Sequence, residues 1–455
     1  MMAAMDNGRT VVVTADDSER DQRAAAGALA ARGLGPGDRV AIIASGTAAY
    51  LAVALGALRT GIVPVLLNPN LLPDEQQALL ADADPTLTLR GDELGLLVAE
   101  GSASGSASKS GSGAELAPWP LARPMLYTSG TTGIPKGVWS GLLGERDAAA
   151  LLAEEREVWG FSADDVHLVA SALYHSAPLR FAAGTLLAGG TVVLTGAFEA
   201  GPVAHAIATH RPTTTFVAPA HLQRIFALDR PPPLSSFRLV AHAGAPCPDP
   251  LKKRALDAFP SGALWEFYGS TEGQFTVCSP DEWVARPGTV GRARPGRTLE
   301  TDADGTIWCT VPRYARFEYW RDPVKTARAW RDDAFTVGDI GRLDVDGYLF
   351  LDGRRDDLVI TGGMNVYPFE VERVLLAHPG VQEAVVFGTD DDRWGRRVCC
   401  AVVGELAVDD VHEWLAARVA PYKRPKQVLV VDEIPVSPTG KIRRSHLAAH
   451  LGLEQ

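Results

Sequence analysis

Between residues 20 and 267 the chain alternates short apolar runs with stretches of helical character, and this limits its architecture more than any other feature. An Ala-rich helix is predicted over 20–32, ending at Gly33 in the turn GLGPGD. A strand follows at 40–44, a helix at 47–60, a strand at 62–67 and a helix near 73–82. The rhythm resumes with helix 144–158, strand 166–170, helix 179–189 and strand 191–194. It continues through 205–210, 215–217 and 221–228 to strand 239–243, helix 249–258 and strand 264–267. Strands separated by helices of this length imply βαβ units and parallel sheets, whose strand-to-loop exits share the edge where open α/β folds bind ligands.

From about Thr289 the pattern changes to short strands punctuated by Gly and Asp, as in GTVGRARPG, DADGTIWC and GRLDVDGYLFLDG, which reads as antiparallel sheet. The segment GRRDDLVITGG at 353–363 reads as a boundary. Beyond it, helix 368–377, strands 381–387 and 397–403, helix 409–419 and strand 427–431 suffice for a small α+β domain. The run GSASGSASKSGSG at 101–113 reads as a flexible surface loop without function.

At 455 residues and 46% apolar content the chain can bury two or three domain cores. A net charge of −11 argues against a general nucleic-acid surface but is compatible with a locally cationic nucleotide pocket. Cys247, Cys278, Cys309, Cys399 and Cys400 show no CxxC or zinc spacing, so packing roles in a reducing compartment are expected. No apolar stretch reaches membrane-spanning length, and MMAAMDNGRT lacks a signal-peptide core. A soluble cytoplasmic protein, monomeric or homodimeric, is the expectation.

The densest chemistry lies in YTSGTTGIPKGV at 127–138, where hydroxyls, glycines and one lysine suit a loop that wraps phosphate oxygens. It is not a Walker loop. From Gly130 the sequence reads GTTGIPKG, with proline at the second glycine position and glycine after Lys136. Pro135 also opposes a helix starting there.

Four further motifs follow in order: FYGSTEG at 267–273, TVGDIGRLD at 336–344, GRRDDLVITGGMNVYPFEVE at 353–372 and PVSPTGK at 435–441. With the 127–138 loop they resemble the adenylate-forming superfamily of acyl-CoA synthetases, nonribosomal adenylation domains and luciferases, and are most similar to the acyl- and aryl-CoA ligases. The resemblance spans about 120 to 445, and LGPGDRVAII at 34–43 fits it. It implies an α/β fold: a large domain over 1–353 of layered, mostly parallel sheets with helices, including a small barrel-like antiparallel subdomain at 288–353. A hinge at 354–356 and a mobile small α+β C-terminal domain at 357–455 complete it.

The resemblance also assigns roles. Thr128, Ser129, Gly130, Thr131, Thr132 and Lys136 would hold the ATP phosphates, and Thr271 the α-phosphate. Tyr268 would stack on adenine against Gly244 and Ala245, followed by Gly269. Glu272 would be the Mg²⁺ ligand, suited to an ion that prefers oxygen and bridges to substrate phosphates. Asp339 and Arg354 would take the ribose, and Asp356 would be the hinge. Lys441 would be the catalytic lysine, stabilising charge on the α-phosphoryl and leaving oxygens. A carboxylate substrate is already ionised at neutral pH, so no general base is needed. His175 would gate the carboxylate pocket, while Gly362 and Gly363 would line the tunnel for the thiol-bearing arm. Arg396 and Lys423 would meet the nucleotide end of CoA.

The context Tyr174-His175-Ser176-Ala177 contains no acid to pair with an amine, so an α-amino acid substrate is not expected. No carrier-attachment segment appears after the small domain, which favours free CoA as acceptor over a carrier protein. His175, Ala243, Gly244 and the neighbours of Gly269 suggest an apolar fatty or aryl acid; no arginine within the motifs answers a second carboxylate, although one could arrive from elsewhere in the chain. Two departures stand out. The sequence starts about thirty residues before LGPGD, implying a trimmed first subdomain, and GTIWCTVPRYARFEYW lacks the expected Gly-Glu and Gly-Pro pairs. The expected activity is an ATP-dependent, AMP-forming carboxylic acid:CoA ligase. A non-catalytic nucleotide-binding relative, or an enzyme passing acyl-AMP to a carrier protein or oxygen, are the alternatives.

Overall fold

The protein is described by a computed structural model covering residues 10–107, 114–128, 135–435, 442 and 444–453. Two six-stranded sheets form its larger part. In the first, Leu87–Arg90, Arg39–Ile43, Val63–Leu67 and Met125–Thr128 run parallel, followed by antiparallel Lys136–Trp139 and Glu318–Tyr319. In the second, Thr191–Leu194, Val166–Val169, Thr214–Val217, Leu239–His242 and Leu264–Glu266 are ordered in parallel. Val11–Thr14 adds an antiparallel edge to it that the sequence reading did not anticipate.

Val63–Leu67 is buried along its whole length, as is expected of a parallel strand covered on both faces. One core runs between the sheets: Leu29, Ile42, Leu55, Leu66, Leu179, Leu186 and Val192 belong to it. Helices Ala48–Arg59 and Ser176–Leu187 are therefore buried over most of their length, while Ala15–Ala31 packs one face inward and leaves Arg20 and Arg23 exposed. The other face of the second sheet is covered by Val203, Ile207, Leu222 and Phe226 from helices Ala200–His210 and Pro219–Phe226.

The Ser/Gly run departs from expectation. Helix Glu93–Ala107 continues through Gly101, so the first half of the run is helical, and 108–113 lie outside the described residues. The reason is packing: a Cβ at Gly101 would stand 1.9 Å from the Ala24 carbonyl oxygen, a closeness to helix Ala15–Ala31 that glycine allows. Tertiary contact overrides weak helix propensity here.

The antiparallel region includes the four-stranded sheet Thr298–Thr301, Ile307–Thr310, Ala334–Phe335, Trp330–Arg331 and the pair Asp339–Leu343/Leu349–Arg354. These strands enclose Phe275, Ile307, Cys309, Phe317, Phe335 and Leu349. The C-terminal unit is a three-stranded sheet, Val381–Asp391, Gly395–Gly404 and Gln427–Val430. Along its middle strand Val398, Cys400 and Val402 face helices Pro368–Leu376 and Val408–Ala416, while Cys399 and Ala401 face Leu447 of helix Arg444–His450. That is the period-two alternation of a strand covered on both sides. No helix among the described residues is long and apolar enough to cross a membrane, and all five cysteines are free.

Candidate active site

The parallel strands of the second sheet deliver their loops to one edge. After Leu239–His242 the chain turns at Gly244, whose φ of +90° glycine adopts without strain, and Ala245 beside it is exposed. After Leu264–Glu266 comes the loop 267–274, closed by a bridge between Gly269 and Gln274 and by the Ser270 N–H donating to the Gly273 carbonyl at 2.8 Å. Thr271 stands half-buried in this loop.

On one side of the loop, Tyr268 donates its hydroxyl to Oδ2 of Asp339, and Arg354 Nε donates to Oδ1 at 2.9 Å. Asp339 is 7% exposed. Burial pushes its carboxyl upward, against the opposing pull of Arg354 and Tyr268. The Tyr268 ring lies 4.8 Å from Phe275.

On the other side, Oε1 of the buried Glu272 accepts from the Tyr319 hydroxyl at 2.9 Å. Lys325 Nζ sits 3.9 Å from the centre of the Tyr319 ring. Burial lowers the Lys325 pKa, opposed by Glu272 and Asp322 and reinforced by Lys136. Asp322 accepts the Lys325 backbone N–H at 2.9 Å and pairs with Lys136 Nζ at 3.3 Å. Lys136 is itself paired across the sheet with Thr128. Ser129, Gly130, Thr131 and Thr132 lie outside the described residues, as does Lys441. The sequence reading missed Tyr319, Asp322 and Lys325. The one available signal was the Asp322-Pro323 helix start, because Tyr319 lies in the segment whose motif departs from the pattern.

The donor set fits magnesium. Among the described residues no group of three His, Cys, Asp or Glu side chains could hold a metal. A lone buried carboxylate suits an ion that takes its other ligands from substrate phosphates and water.

On the acid side, His175 is an exposed residue at the N-cap position of helix Ser176–Leu187, with its ring 4.6 Å from Tyr174. Further in, Trp159, Phe181, Phe216 and Phe267 form an aromatic cluster with Ala241 and Ala243. Phe267 lies 5.8 Å from Phe216 and 5.6 Å from Trp159, ring centre to ring centre. An arginine from outside the motifs does approach this region: Arg180, on the helix that His175 caps, places its guanidinium 5.5 Å from the Phe267 ring. Its position one turn beyond the motif put it out of reach of motif reading.

At the boundary, Asp356 is exposed in a single 3₁₀ turn, Arg355–Asp357. Its neighbours are tied in opposite directions. Arg355 donates to Thr306 Oγ1 at 2.6 Å, and Asp357 pairs at 2.8 Å with Arg444, which also holds Glu372 at 2.7 Å. Gly362 and Gly363 form the turn of hairpin Val359–Thr361/Met364–Val366 with φ of +55° and +77°. A Cβ at Gly362 would meet the Trp394 ring at 2.9 Å. Arg396 and Lys423 have internal partners: Arg396 donates to the Gly388 carbonyl at 2.9 Å, and Lys423 pairs with Glu370 through both carboxylate oxygens.

Comparison with known proteins places the chain in a family. Residues 3–304 match the model of the AMP-binding enzyme family, and 370–441 that of the AMP-binding enzyme C-terminal domain. A fatty acid–[acyl-carrier-protein] ligase, ScoC, of Streptomyces coeruleorubidus is 33% identical, covering 98% of this chain and 92% of its own. A feruloyl-CoA synthase from an Amycolatopsis species is 33% identical, covering 99% and 96%. Among solved structures, ATP-bound MatB from Rhodopseudomonas palustris superposes with a TM-score of 0.81 at 29% identity, over 96% of this chain and 93% of that one. The chain belongs to the AMP-binding enzyme family, the adenylate-forming superfamily of AMP-forming acid–thiol ligases that use ATP, Mg²⁺ and CoA.

Proposed function

We propose that this enzyme activates a carboxylic acid with an apolar, fatty or aryl body as its acyl-adenylate and passes the acyl group to CoA. The observation that carries this reading is the reach of one loop. Phe267 borders the aromatic cluster, Tyr268 bonds Asp339, and Glu272 bonds Tyr319 beside Lys325 and Lys136. An acid, a nucleoside and a polyphosphate bound in these three surroundings would meet at the loop.

In the first half-reaction a carboxylate oxygen of the acid bonds to the α-phosphorus of ATP and pyrophosphate leaves. In the second, the CoA sulfur bonds to the acyl carbon, its proton passes to solvent and AMP leaves. Tyr268 with Gly244 and Ala245 would hold adenine, and Asp339 with Arg354 the ribose. Thr128, Ser129, Gly130, Thr131, Thr132 and Lys136 would hold the β- and γ-phosphates, and Thr271 the α-phosphate. His175 would close over the acid carboxylate. Held by Glu272 and the substrate phosphates, Mg²⁺ would supply charge neutralisation. Lys441 would stabilise the charge that develops at the α-phosphoryl group, an interaction worth most where water is excluded. Residues 1–353 would then be the binding domain and 357–455 the moving one, with Gly362 and Gly363 replacing Lys441 at the acid for the second step.

Pyrophosphate exchange across a panel of acids tests the reading: exchange with at least one acid is expected, and none with any acid overturns it. Lys441→Ala should abolish exchange while largely sparing thioester formation from supplied acyl-AMP; equal loss of both steps would refute this division of labour. The relative named as an acyl-carrier-protein ligase favours a carrier protein as the second candidate acceptor. Consumption of bound acyl-AMP by CoA alone decides between them.

A further inference from the structure

The wall behind the aromatic cluster is charged, and its charges do not balance. Glu154 accepts from Arg297 Nη1 at 2.7 Å, from the Tyr314 hydroxyl at 2.9 Å and from Arg294 Nε. Glu155 accepts from Arg294 Nη2 at 2.6 Å, and Gln274 of the 267–274 loop accepts from Arg294 Nη1. Arg180 lies 3.1 Å from the second oxygen of Glu155, but the two are not aligned as a hydrogen bond. Three guanidinium groups (Arg180, Arg294, Arg297) thus face two carboxylates, and Arg123 adds a further positive charge that interacts with Arg297 and both glutamates. Unmatched charge in a largely buried cluster is costly unless an anion arrives to meet it.

The unmatched donors lie beside Phe267, the first residue of the 267–274 loop. Among the described residues, Arg180 Nε and Nη2 and the Trp159 indole N–H are buried without hydrogen-bond partners. Arg180 shares a helix face with Ala177 and Gly184, at i−3 and i+4. Its guanidinium rests over Phe181 at 5.8 Å and Phe267 at 5.5 Å, and Phe267 directly precedes Tyr268. Burial and Arg294 pull its pKa down to about 10, against Glu155, so it remains a cation at neutral pH.

We propose that Arg180 is a specificity residue that receives a second carboxylate at the far end of the acid, so that the preferred substrate is a dicarboxylic acid with an apolar or aryl body. The planar fork of an arginine matches a carboxylate through paired N–H donors, and the incoming charge balances the surplus. This rests on the ligase reading above and narrows its acid.

The test is pyrophosphate exchange by the full-length enzyme with matched pairs: aliphatic diacids from malonate to adipate and the benzenedicarboxylates, each against its monomethyl ester. The expected result is a kcat/KM for the best diacid about ten- to a hundredfold above that of its monoester, the worth of a charge-assisted hydrogen bond. In Arg180→Met that ratio should fall at least about tenfold through the KM of the diacid, with Arg180→Lys recovering part of it. Monoesters used as well as or better than their diacids overturn the assignment of Arg180 and leave the ligase reading standing. So does an Arg180→Met variant that loses both members of a pair equally, which marks a purely structural role. Exchange with no acid at all overturns the ligase reading and this assignment with it. The wild-type comparison decides the matter even where a variant fails to fold.

Discussion

The Tyr268 hydroxyl donates to Asp339 from 71 residues away in sequence, while Arg354 holds the other oxygen of the same carboxylate. The proposed adenine ring and ribose anchor are thus joined before any nucleotide arrives, and the ribose hydroxyls must compete for these bonds. Asp339→Asn should raise the KM for ATP about ten- to a hundredfold, the loss of charge-assisted hydrogen bonds. Tyr268→Phe, which keeps the ring, should cost less than about threefold, and Tyr268→Ala about tenfold or more. Because burial raises the Asp339 pKa, this carboxylate protonates earlier than an ordinary one as pH falls. The KM for ATP should therefore climb on acidification from above the usual carboxylate range, and Asp339→Asn should flatten the profile.

Asp356 stands between two anchors, Arg355 on Thr306 and Asp357 on Arg444, and it is itself exposed. A rotation between half-reactions would concentrate its backbone change there. Proline at 356 freezes φ and restricts Arg355. Asp356→Pro should slow thioester formation from supplied acyl-AMP about tenfold more than it slows pyrophosphate exchange, a barrier difference of about 1.4 kcal/mol. Equal slowing of both steps, with unchanged thermal melting, would remove the hinge.

Gly101 tests whether the Ser/Gly run is structural where it is helical. Its Cβ would overlap the Ala24 carbonyl oxygen at 1.9 Å, so Gly101→Ala must push helix Glu93–Ala107 away from Ala15–Ala31. A destabilisation of about 1–3 kcal/mol in denaturant unfolding is expected, despite alanine's better helix propensity. A stabilised variant would show that the contact relaxes freely.

His167 is fully buried, with Nδ1 2.9 Å from the Thr214 hydroxyl, and burial pulls its pKa down to about 3. Unfolded, it binds a proton near its ordinary value of about 6.5. Between these values the unfolded state holds one more proton, so stability is full above about pH 6.5 and falls as pH drops toward 3, by about 1.4 kcal/mol per pH unit from this group. Urea unfolding from pH 7 to 4.5 should show that slope, and His167→Gln should remove one proton's worth of it.

Much of the architecture was legible from local pattern. Alternating apolar runs announced mostly parallel sheets, and the apolar run at 397–403 announced a strand, because periodicity is a property of neighbours along the chain; that the parallel sheets number two and that Val398 to Val402 is covered on both faces came from the structure. The ordered motifs likewise pointed to Tyr268, Glu272 and Asp339, which the structure gathers at the 267–274 loop. The extent of helix Glu93–Ala107 was not legible, since its composition argues against it and only its fit against Ala24 holds it.

The same limit governs the site. The amino-acid sequence by itself determined which loops could carry acid, nucleoside and phosphate chemistry. Only the tertiary structure decided that Tyr319 holds Glu272, that Lys325 and Asp322 link it to Lys136, and that Arg180 stands over Phe267 with unanswered hydrogen-bond donors. Spacing records what lies within a turn or two. A contact such as Arg294 to Glu154 spans 140 residues and exists because two buried surfaces meet, so the surplus charge beside Phe267 appears only when distant segments are brought together.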